Sequence, residues 1–220
     1  MNKKTAIILG ATGLTGSHLL DELIHDSDFE LIKIFSRNTT NVTHPKVKEY
    51  LGDLLHIESF KNDFTGDVTF CCIGTTASKT KDKSVYKSID FGIPVSAANL
   101  SKENGISQFL VISSMGANSK SPVFYNKTKG EMEEQVQKSQ VEKTIVLRPS
   151  LILGNRGEQR IGESIGVAVM NFISPLMIGS LKKYRAINAQ SIAMAMIKIS
   201  KSTIKSQIIE SDKIQDWSEK

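Results

Sequence analysis

The sequence predicts an α/β protein in which one doubly wound parallel sheet carries helices on both faces. Short apolar runs alternate with segments of helical periodicity, and no Pro/Ser-rich linker, repeat or low-complexity tract divides the 220 residues. Hydrophobic residues make up 40% of the chain and aromatic ones only 6%, so aliphatic side chains dominate, as in parallel sheets covered on both faces. This length fits one substantial core, and we expect a single domain.

The strands are predicted from apolar runs of four to six residues, which fit buried strands. In chain order the runs are Thr5–Leu9, Leu31–Phe35, the weaker Val47–Leu51, Val68–Cys72, Phe109–Ile112 and Thr144–Leu147. Helical periodicity marks the segments Leu14–His25, Lys83–Glu103 and Tyr125–Lys138. Strands that alternate with helices imply right-handed crossovers, with the strand order reversing beside the first strand and ligands binding at that reversal.

The chain after Arg148 is expected to extend the same domain, with a short lid or substrate segment at residues 154–184. Within it, Ser164–Leu181 contains no charged residue and nearly reaches the length of a membrane-spanning helix. Because Asn171 and Pro175 interrupt this stretch, we expect a buried helix or a lid over a pocket, and no membrane contact.

Charge and cysteine usage narrow the function classes. The 28 Lys and Arg residues exceed the 23 Asp and Glu by five, but the lysines are scattered, so nucleic-acid binding is not expected. Cys71 and Cys72 are adjacent on a strand and point to opposite faces, which predicts neither a disulfide nor a metal site. Lys3 and Lys4 precede an apolar stretch that has no cleavage site. We therefore expect a reduced, cytoplasmic protein.

A glycine motif joins the first strand to the first helix. Gly10 permits a tight turn, Gly13 lets the backbone approach a pyrophosphate, and Gly16 lets the helix pack closely on the sheet. The helix N-terminus adds free N–H groups and positive potential. The strand–turn–helix context favours a Rossmann-type NAD(P)-binding fold over a glycine turn without a ligand. The expected cofactor contacts here are Gly10, Thr12, Gly13, Leu14 and Gly16.

Residues after the second and third strands favour NADP over NAD. An acidic residue after the second strand would bind a ribose 2′-hydroxyl, whereas this chain has Arg37, a planar charged donor that suits a 2′-phosphate. The alternative for Arg37 is a solvated surface side chain. Asp53 and Leu54 are expected beside the adenine, although Asp53 could also cap the short helix that follows.

A candidate catalytic set follows the fifth strand. Tyr125 and Lys129 are spaced i and i+4, so they share one helix face, where the ammonium stabilises the ionised phenol. Hydride delivery to a carbonyl builds negative charge on oxygen, which must be stabilised and protonated. We expect Ser114 to orient the carbonyl, Tyr125 to donate the proton and Lys129 to hold the cofactor ribose. The alternative is an exposed pair held by aliphatic contact.

The order of these motifs resembles the atypical and extended short-chain dehydrogenases/reductases, particularly the small NAD(P)-binding branch that includes Tat-interacting oxidoreductase-like and NmrA-like proteins. The resemblance covers about residues 5–195. It depends on Gly10–Gly16, Cys72–Thr76, Ser113–Ala117, Tyr125–Glu131 and Arg148-Pro149.

The resemblance implies bound NADPH and the set of Ser114, Tyr125 and Lys129. It also implies cofactor contacts from Gly74, Thr75, Thr76 and Pro149. The chain has Asp90 where extended members usually place an Asn used in proton relay.

Two functions remain open from the sequence. The first is an NADP(H)-dependent oxidoreductase that reduces a small carbonyl-like substrate. The second is a non-catalytic NADP(H)-sensing regulatory or interaction protein, because some members of this branch bind nucleotide without known turnover.

Overall fold

The computed structural model describes residues 3–154, 177 and 179–220. Its main feature is a seven-stranded parallel sheet. The strands of the described residues are β1 (Lys4–Leu9), β2 (Phe29–Ser36), β3 (Val47–Leu51), β4 (Val68–Cys71), β5 (Gln108–Ile112), β6 (Lys143–Arg148), β7 (Ile152–Leu153), β8 (Ile187–Asn188) and β9 (Gln207–Glu210). In the sheet they run β3-β2-β1-β4-β5-β6-β9, while β7 and β8 form a separate parallel pair.

Helices cover both faces of this sheet. Those of the described residues are α1 (Leu14–His25), α2 (Lys83–Lys87), α3 (Ile93–Glu103), α4 (Phe124–Lys138), α5 (Ala189–Lys201) and α6 (Ser211–Glu219). Two 3₁₀ helices span Leu54–Phe60 and Gly179–Tyr184, and a π-helical turn at Ser88–Gly92 joins α2 to α3. The fold class predicted from the sequence, a single Rossmann-type domain, is confirmed.

The core lies in two layers because side chains alternate along each strand. On β1, Ala6 and Ile8 pack towards α1, α5 and α6, whereas Ile7 and Leu9 pack towards α3 and α4. All four side chains are fully buried, and each Ile or Leu contributes roughly 1.5–3 kcal/mol by leaving water. The strand order reverses between β1 and β4, so the carboxyl ends of these two strands mark the expected ligand site.

The helix predicted over Lys83–Glu103 is present in the structure, but a π-helical turn at Ser88–Gly92 interrupts its regular α-helical hydrogen bonding. Pro94 has no N–H and cannot donate to the carbonyl four residues earlier. The backbone widens there into the π-helical turn, in which the Ile93 amide donates to the Ser88 carbonyl. This wide turn contains Asp90 and buries its side chain completely.

The chain after Arg148 completes the same domain. Strand β9 pairs with β6, and α5 packs beside α1. The sequence interpretation assigned neither β9 nor α5, although Ile192, Met196 and Ile199 have helical spacing and are all buried. Most of the predicted lid at 154–184, and most of the uncharged stretch within it, lies outside the described residues. None of the helices that the structure describes is long and apolar enough to span a membrane.

Candidate active site

A cavity of about 540 Å³ opens at the carboxyl ends of β1, β4 and β5, beside the reversal of strand order. The glycine turn and the start of α1 line it, and so does the segment after β4. The predicted site residues that line it are Thr12, Gly13, Leu14, Gly74, Thr75, Thr76, Tyr125 and Lys129.

The glycine turn is closely packed. Gly10 has φ of +85°, and a Cβ there would lie 2.8 Å from the Cys72 carbonyl oxygen. A Cβ on Gly16 would lie only 2.0 Å from the Gly10 carbonyl oxygen. The Gly13 amide donates to that same oxygen at 3.0 Å and closes the turn. Side chains are therefore excluded at both Gly10 and Gly16, and the backbone itself reaches the cavity.

Helix α1 begins at the cavity wall with free amides. Gly13 is its N-cap and supplies no side-chain acceptor, and the first turn contains no acidic residue. The amides of the first turn have no intrahelical partner, and they add to the positive end of the helix dipole. Leu14 and Thr15 of this turn line the cavity, which makes this wall suitable for an anion such as a diphosphate.

Lys129 lies in a buried ion pair. Its Nζ is 2.9 Å from Asp90 Oδ1, and the two side chains are 5% and 1% exposed. Asp90 Oδ2 accepts the Thr75 amide at 2.7 Å. The Lys129 ammonium lies against Oδ1 and the Thr75 amide against Oδ2, so each carboxylate oxygen faces a donor. Gly74 leaves space here, since its missing Cβ would lie 3.6 Å from Oδ1 and 3.8 Å from Nζ.

Two tyrosines lie at the same end of the cavity. The Tyr125 side chain is 41% exposed, lines the cavity and packs edge-to-face on Tyr86 at 6.5 Å between ring centres. Tyr86 is buried, and its hydroxyl donates to the Thr75 carbonyl at 3.4 Å. Burial and the nearby Asp90 carboxylate raise the pKa of Tyr86. Tyr86 therefore stays protonated and inaccessible, and Tyr125 presents the phenol that a ligand can reach.

The two serines after β5 differ in placement. Ser113 lines the cavity, but its hydroxyl donates to the carboxylate of Glu133 on α4. The predicted catalytic serine, Ser114, is buried and not part of the cavity lining, and its hydroxyl has no partner among the described residues. Successive residues of an extended segment point to opposite sides, which separates these two neighbours.

Three of the predicted adenosine contacts lie outside this cavity. Arg37 is exposed beyond β2. Asp53 caps the following 3₁₀ helix by accepting the Leu55 amide at 3.0 Å, which is the second interpretation offered by the sequence. The Leu54 side chain is buried in the core, so only its backbone is left to contact a ligand.

Pro149, Gly10 and Gly16 also lie outside the lining. The Pro149 carbonyl accepts the Met115 amide at 2.9 Å and ties β6 to the loop after β5. The two glycines form the turn behind the wall rather than its surface.

Several lining residues were not assigned to the site by the sequence interpretation, and those with reactive or charged groups include Cys72, Lys79, Asp90 and Ser113. Asp90 could have been suspected from the sequence, because it stands where extended family members usually have an Asn. No such signal marks Lys79, since it lies in a polar segment with other lysines. Both cysteines are free thiols. Burial raises the pKa of Cys71 to about 11 and also raises that of Cys72, so both remain protonated at neutral pH.

Comparison with known proteins shows the family to which this chain belongs. A family model described as NAD(P)H-binding matches residues 10–175. Protein FMP52, mitochondrial, of Candida albicans is 32% identical over 93% of this chain and 91% of its own length. Protein HTATIP2 of Rattus norvegicus is also 32% identical, over 74% of this chain and 70% of its own length.

Solved structures match the fold at low sequence identity. The Bordetella bronchiseptica enzyme WbmH, solved in complex with NAD+, superposes with a TM-score of 0.73 at 12% identity, covering 99% of this chain and 80% of that one. A UDP-N-acetylglucosamine 4-epimerase from Methanobrevibacter ruminantium gives 0.69 at 18% identity, covering 96% and 77%. These matches agree with the Rossmann-type fold described above.

The relatives correct one expectation. The cytoplasmic location expected from the sequence is contradicted, because similar proteins from Candida albicans, Scheffersomyces stipitis and Meyerozyma guilliermondii are named mitochondrial. Free cysteines are compatible with any reducing compartment, and so they do not distinguish the cytoplasm from the interior of a mitochondrion.

Proposed function

This chain belongs to the NAD(P)H-binding family, and from that premise we propose that it is an NADP(H)-dependent oxidoreductase that reduces a small carbonyl-like substrate. The observation that supports the proposal is one shared cavity. The start of α1, Tyr125 and Lys129 all line it. A site for a diphosphate and a phenol with an adjacent ammonium therefore lie within reach of a single ligand.

The residues present fit a dinucleotide. The Gly10–Gly16 turn excludes side chains where a diphosphate must approach, and the uncapped start of α1 provides its donors. At the other end, Asp90 is a buried acceptor and Lys129 a buried donor, and both line the cavity. Both suit the hydroxyls of a ribose. When bound, the cofactor supplies the hydride.

The protein's own contribution is to bind the carbonyl oxygen and protonate it. Tyr125 is the accessible phenol and donates the proton, while Lys129 favours negative charge near it. Ser114 is the serine that the family resemblance suggests for orienting the carbonyl. Ser113 lies in the cavity lining, but its hydroxyl is already donated to Glu133.

Replacement of Tyr125 tests the reductase. In Tyr125→Phe we expect NADPH-dependent reduction of carbonyl compounds to fall at least about 10²-fold, because the proton donor is lost. NADPH affinity should change little, since the ring remains. Steady-state rates on a carbonyl panel and NADPH fluorescence titration measure the two effects. Tyr50→Phe, which alters a tyrosine on β3 outside the cavity lining, is the control and should match the wild type. Unchanged turnover in Tyr125→Phe contradicts the assignment.

A non-catalytic NADP(H) sensor is the second candidate. The observation that favours it is Ser114, whose hydroxyl is buried and does not line the cavity, so the catalytic set is incomplete on the cavity surface. A sensor would bind NADPH, reduce no carbonyl compound and show no effect of Tyr125→Phe on binding to its partner.

Arg37 supports the preference for NADP over NAD. Its guanidinium is exposed, with no ion pair to a described residue, at the end of β2, where a 2′-phosphate would be recognised. We expect Arg37→Ala to weaken NADPH binding about tenfold, the effect of losing a charge-assisted hydrogen bond. NADH affinity should stay within about twofold. An equal loss of affinity for NADPH and NADH would show that Arg37 does not bind the 2′-phosphate.

A further inference from the structure

The buried pair of Asp90 and Lys129 has a feature that the proposed reaction does not use. A lysine that only holds a ribose or assists Tyr125 needs no carboxylate beside it. Here the carboxylate is fully buried, 2.9 Å from the ammonium. It lies on the π-helical turn that precedes Pro94, the residue that lacks an N–H for regular α-helical hydrogen bonding. Such turns are frequent at functional sites.

Two polar contacts fix the position of this carboxylate, and a buried phenol lies beside it. Oδ2 accepts the Thr75 amide, Oδ1 contacts Lys129 Nζ, and the buried Tyr86 packs nearby with its hydroxyl on the Thr75 carbonyl. Asp90 thus connects the segment after β4 to helix α4. Both segments form walls of the cavity.

We propose that Asp90 is a positioning residue for the cofactor, which fixes Lys129 and the Thr75 backbone at the cavity wall and offsets the ammonium charge. This inference depends on the proposed NADP(H) binding. Its consequence is electrostatic. With the pair intact, Asp90 and Lys129 offer ribose hydroxyls an acceptor and a donor, and the two side chains together carry almost no net charge.

The redox state of the cofactor makes this consequence measurable. The oxidised nicotinamide ring carries one positive charge and the reduced ring carries none, while the remainder of the molecule is the same. The ratio of the two dissociation constants, NADP+ over NADPH, therefore cancels shared contacts and any general damage to the site. It responds to the charge of the wall near the ring.

Single removals of each partner should move this ratio in opposite directions. Asp90→Asn leaves the ammonium uncompensated, which disfavours NADP+ and raises the ratio. Lys129→Gln leaves the carboxylate uncompensated, which favours NADP+ and lowers it. We expect about tenfold in each direction, the size of an interaction between unit charges about 10 Å apart at an effective dielectric near 20.

The double variant Asp90→Asn/Lys129→Gln restores a neutral wall, and its ratio should return to within about twofold of the wild type. Lys79 is the other charged residue among the described lining, and its charge is the same in every variant. The matched control is Glu131→Gln. Glu131 lies on the same helix and pairs with Lys87 at 2.7 Å, but that pair is partly exposed and lies outside the cavity.

The experiment is a fluorescence or calorimetric titration of each folded variant with NADP+ and with NADPH. Opposite shifts and recovery in the double variant support the proposal. Equal weakening of both forms in the single variants overturns it and leaves Asp90 a purely structural residue. If Lys129→Gln does not fold, Asp90→Asn and the double variant still give one shift and its reversal. A wild type that binds neither form refutes the proposed function itself, a result that cannot be mistaken for equal weakening.

Discussion

Gly16→Ala should abolish measurable NADPH binding at millimolar concentration. A Cβ at this position would lie 2.0 Å from the Gly10 carbonyl oxygen and 2.7 Å from its carbonyl carbon. Both atoms are backbone, so no side-chain rotation can relieve the clash, and either the turn or the start of α1 must move. Because the turn and the helix start together form the anion-binding wall, displacing either one removes the donors of a diphosphate.

The same change should also lower the free energy of unfolding. Overpacking in a closely packed region costs typically 1–3 kcal/mol, and Gly16 is buried against the sheet. Gly92→Ala is the control, because this glycine is helical with φ of −60° and nothing lies within 4 Å of its added Cβ. We expect that variant to bind NADPH normally and to be as stable as the wild type or slightly more so. Normal NADPH affinity in a folded Gly16→Ala variant would contradict the assignment of the glycine turn and the start of α1 as the diphosphate site.

Local patterns were enough to predict most of this fold. The runs at Thr5–Leu9 and Val68–Cys72 are central strands, buried on both faces, and their continuous apolar character is visible in the sequence. Strand β9 has no such signal, because only Ile209 of its four residues is buried. A strand of that kind is recognised from its pairing with β6, which depends on tertiary structure.

In the candidate site too, the features that depend on local geometry were predicted and those that depend on tertiary packing were not. The i, i+4 spacing of Tyr125 and Lys129 brings both to the cavity, as local helix geometry requires. Asp90 could not be placed, because its position depends on a π-helical turn and on burial against α4. The sequence analysis chose Ser114, whereas Ser113 lines the cavity, because a strand end with two adjacent hydroxyls leaves open which one faces the ligand.

Glu133→Ala should destabilise the fold by about 3–5 kcal/mol, the cost of breaking a buried ion pair by removing one partner. Glu133 lies on α4 with its side chain 4% exposed, and it binds Arg148 through both carboxylate oxygens, at 2.6 and 2.9 Å. The same carboxylate accepts the Ser113 hydroxyl. Its removal leaves a guanidinium that is 22% exposed, and Glu210, at 3.3 Å, is then its one carboxylate partner among the described residues.

Glu134→Ala is the matched control for urea unfolding. Glu134 is the next residue of the same helix, is exposed and, within the part of the chain that the structure describes, accepts the Ser119 hydroxyl alone. Its loss should change the free energy of unfolding by no more than about 0.5 kcal/mol. Similar losses in both variants would show that the buried pair contributes no more than a surface contact.

The pair also has a consequence for the cavity. Through Glu133, Arg148 and Glu210, the ends of β6 and β9 are joined to α4, the helix that carries Tyr125 and Lys129. Glu133→Gln keeps the shape and one acceptor but loses the charge, so it should be destabilised less than Glu133→Ala. If this network sets the position of α4, NADPH affinity should fall in the same order as stability. If it only stabilises the core, affinity should stay constant in every variant that remains folded.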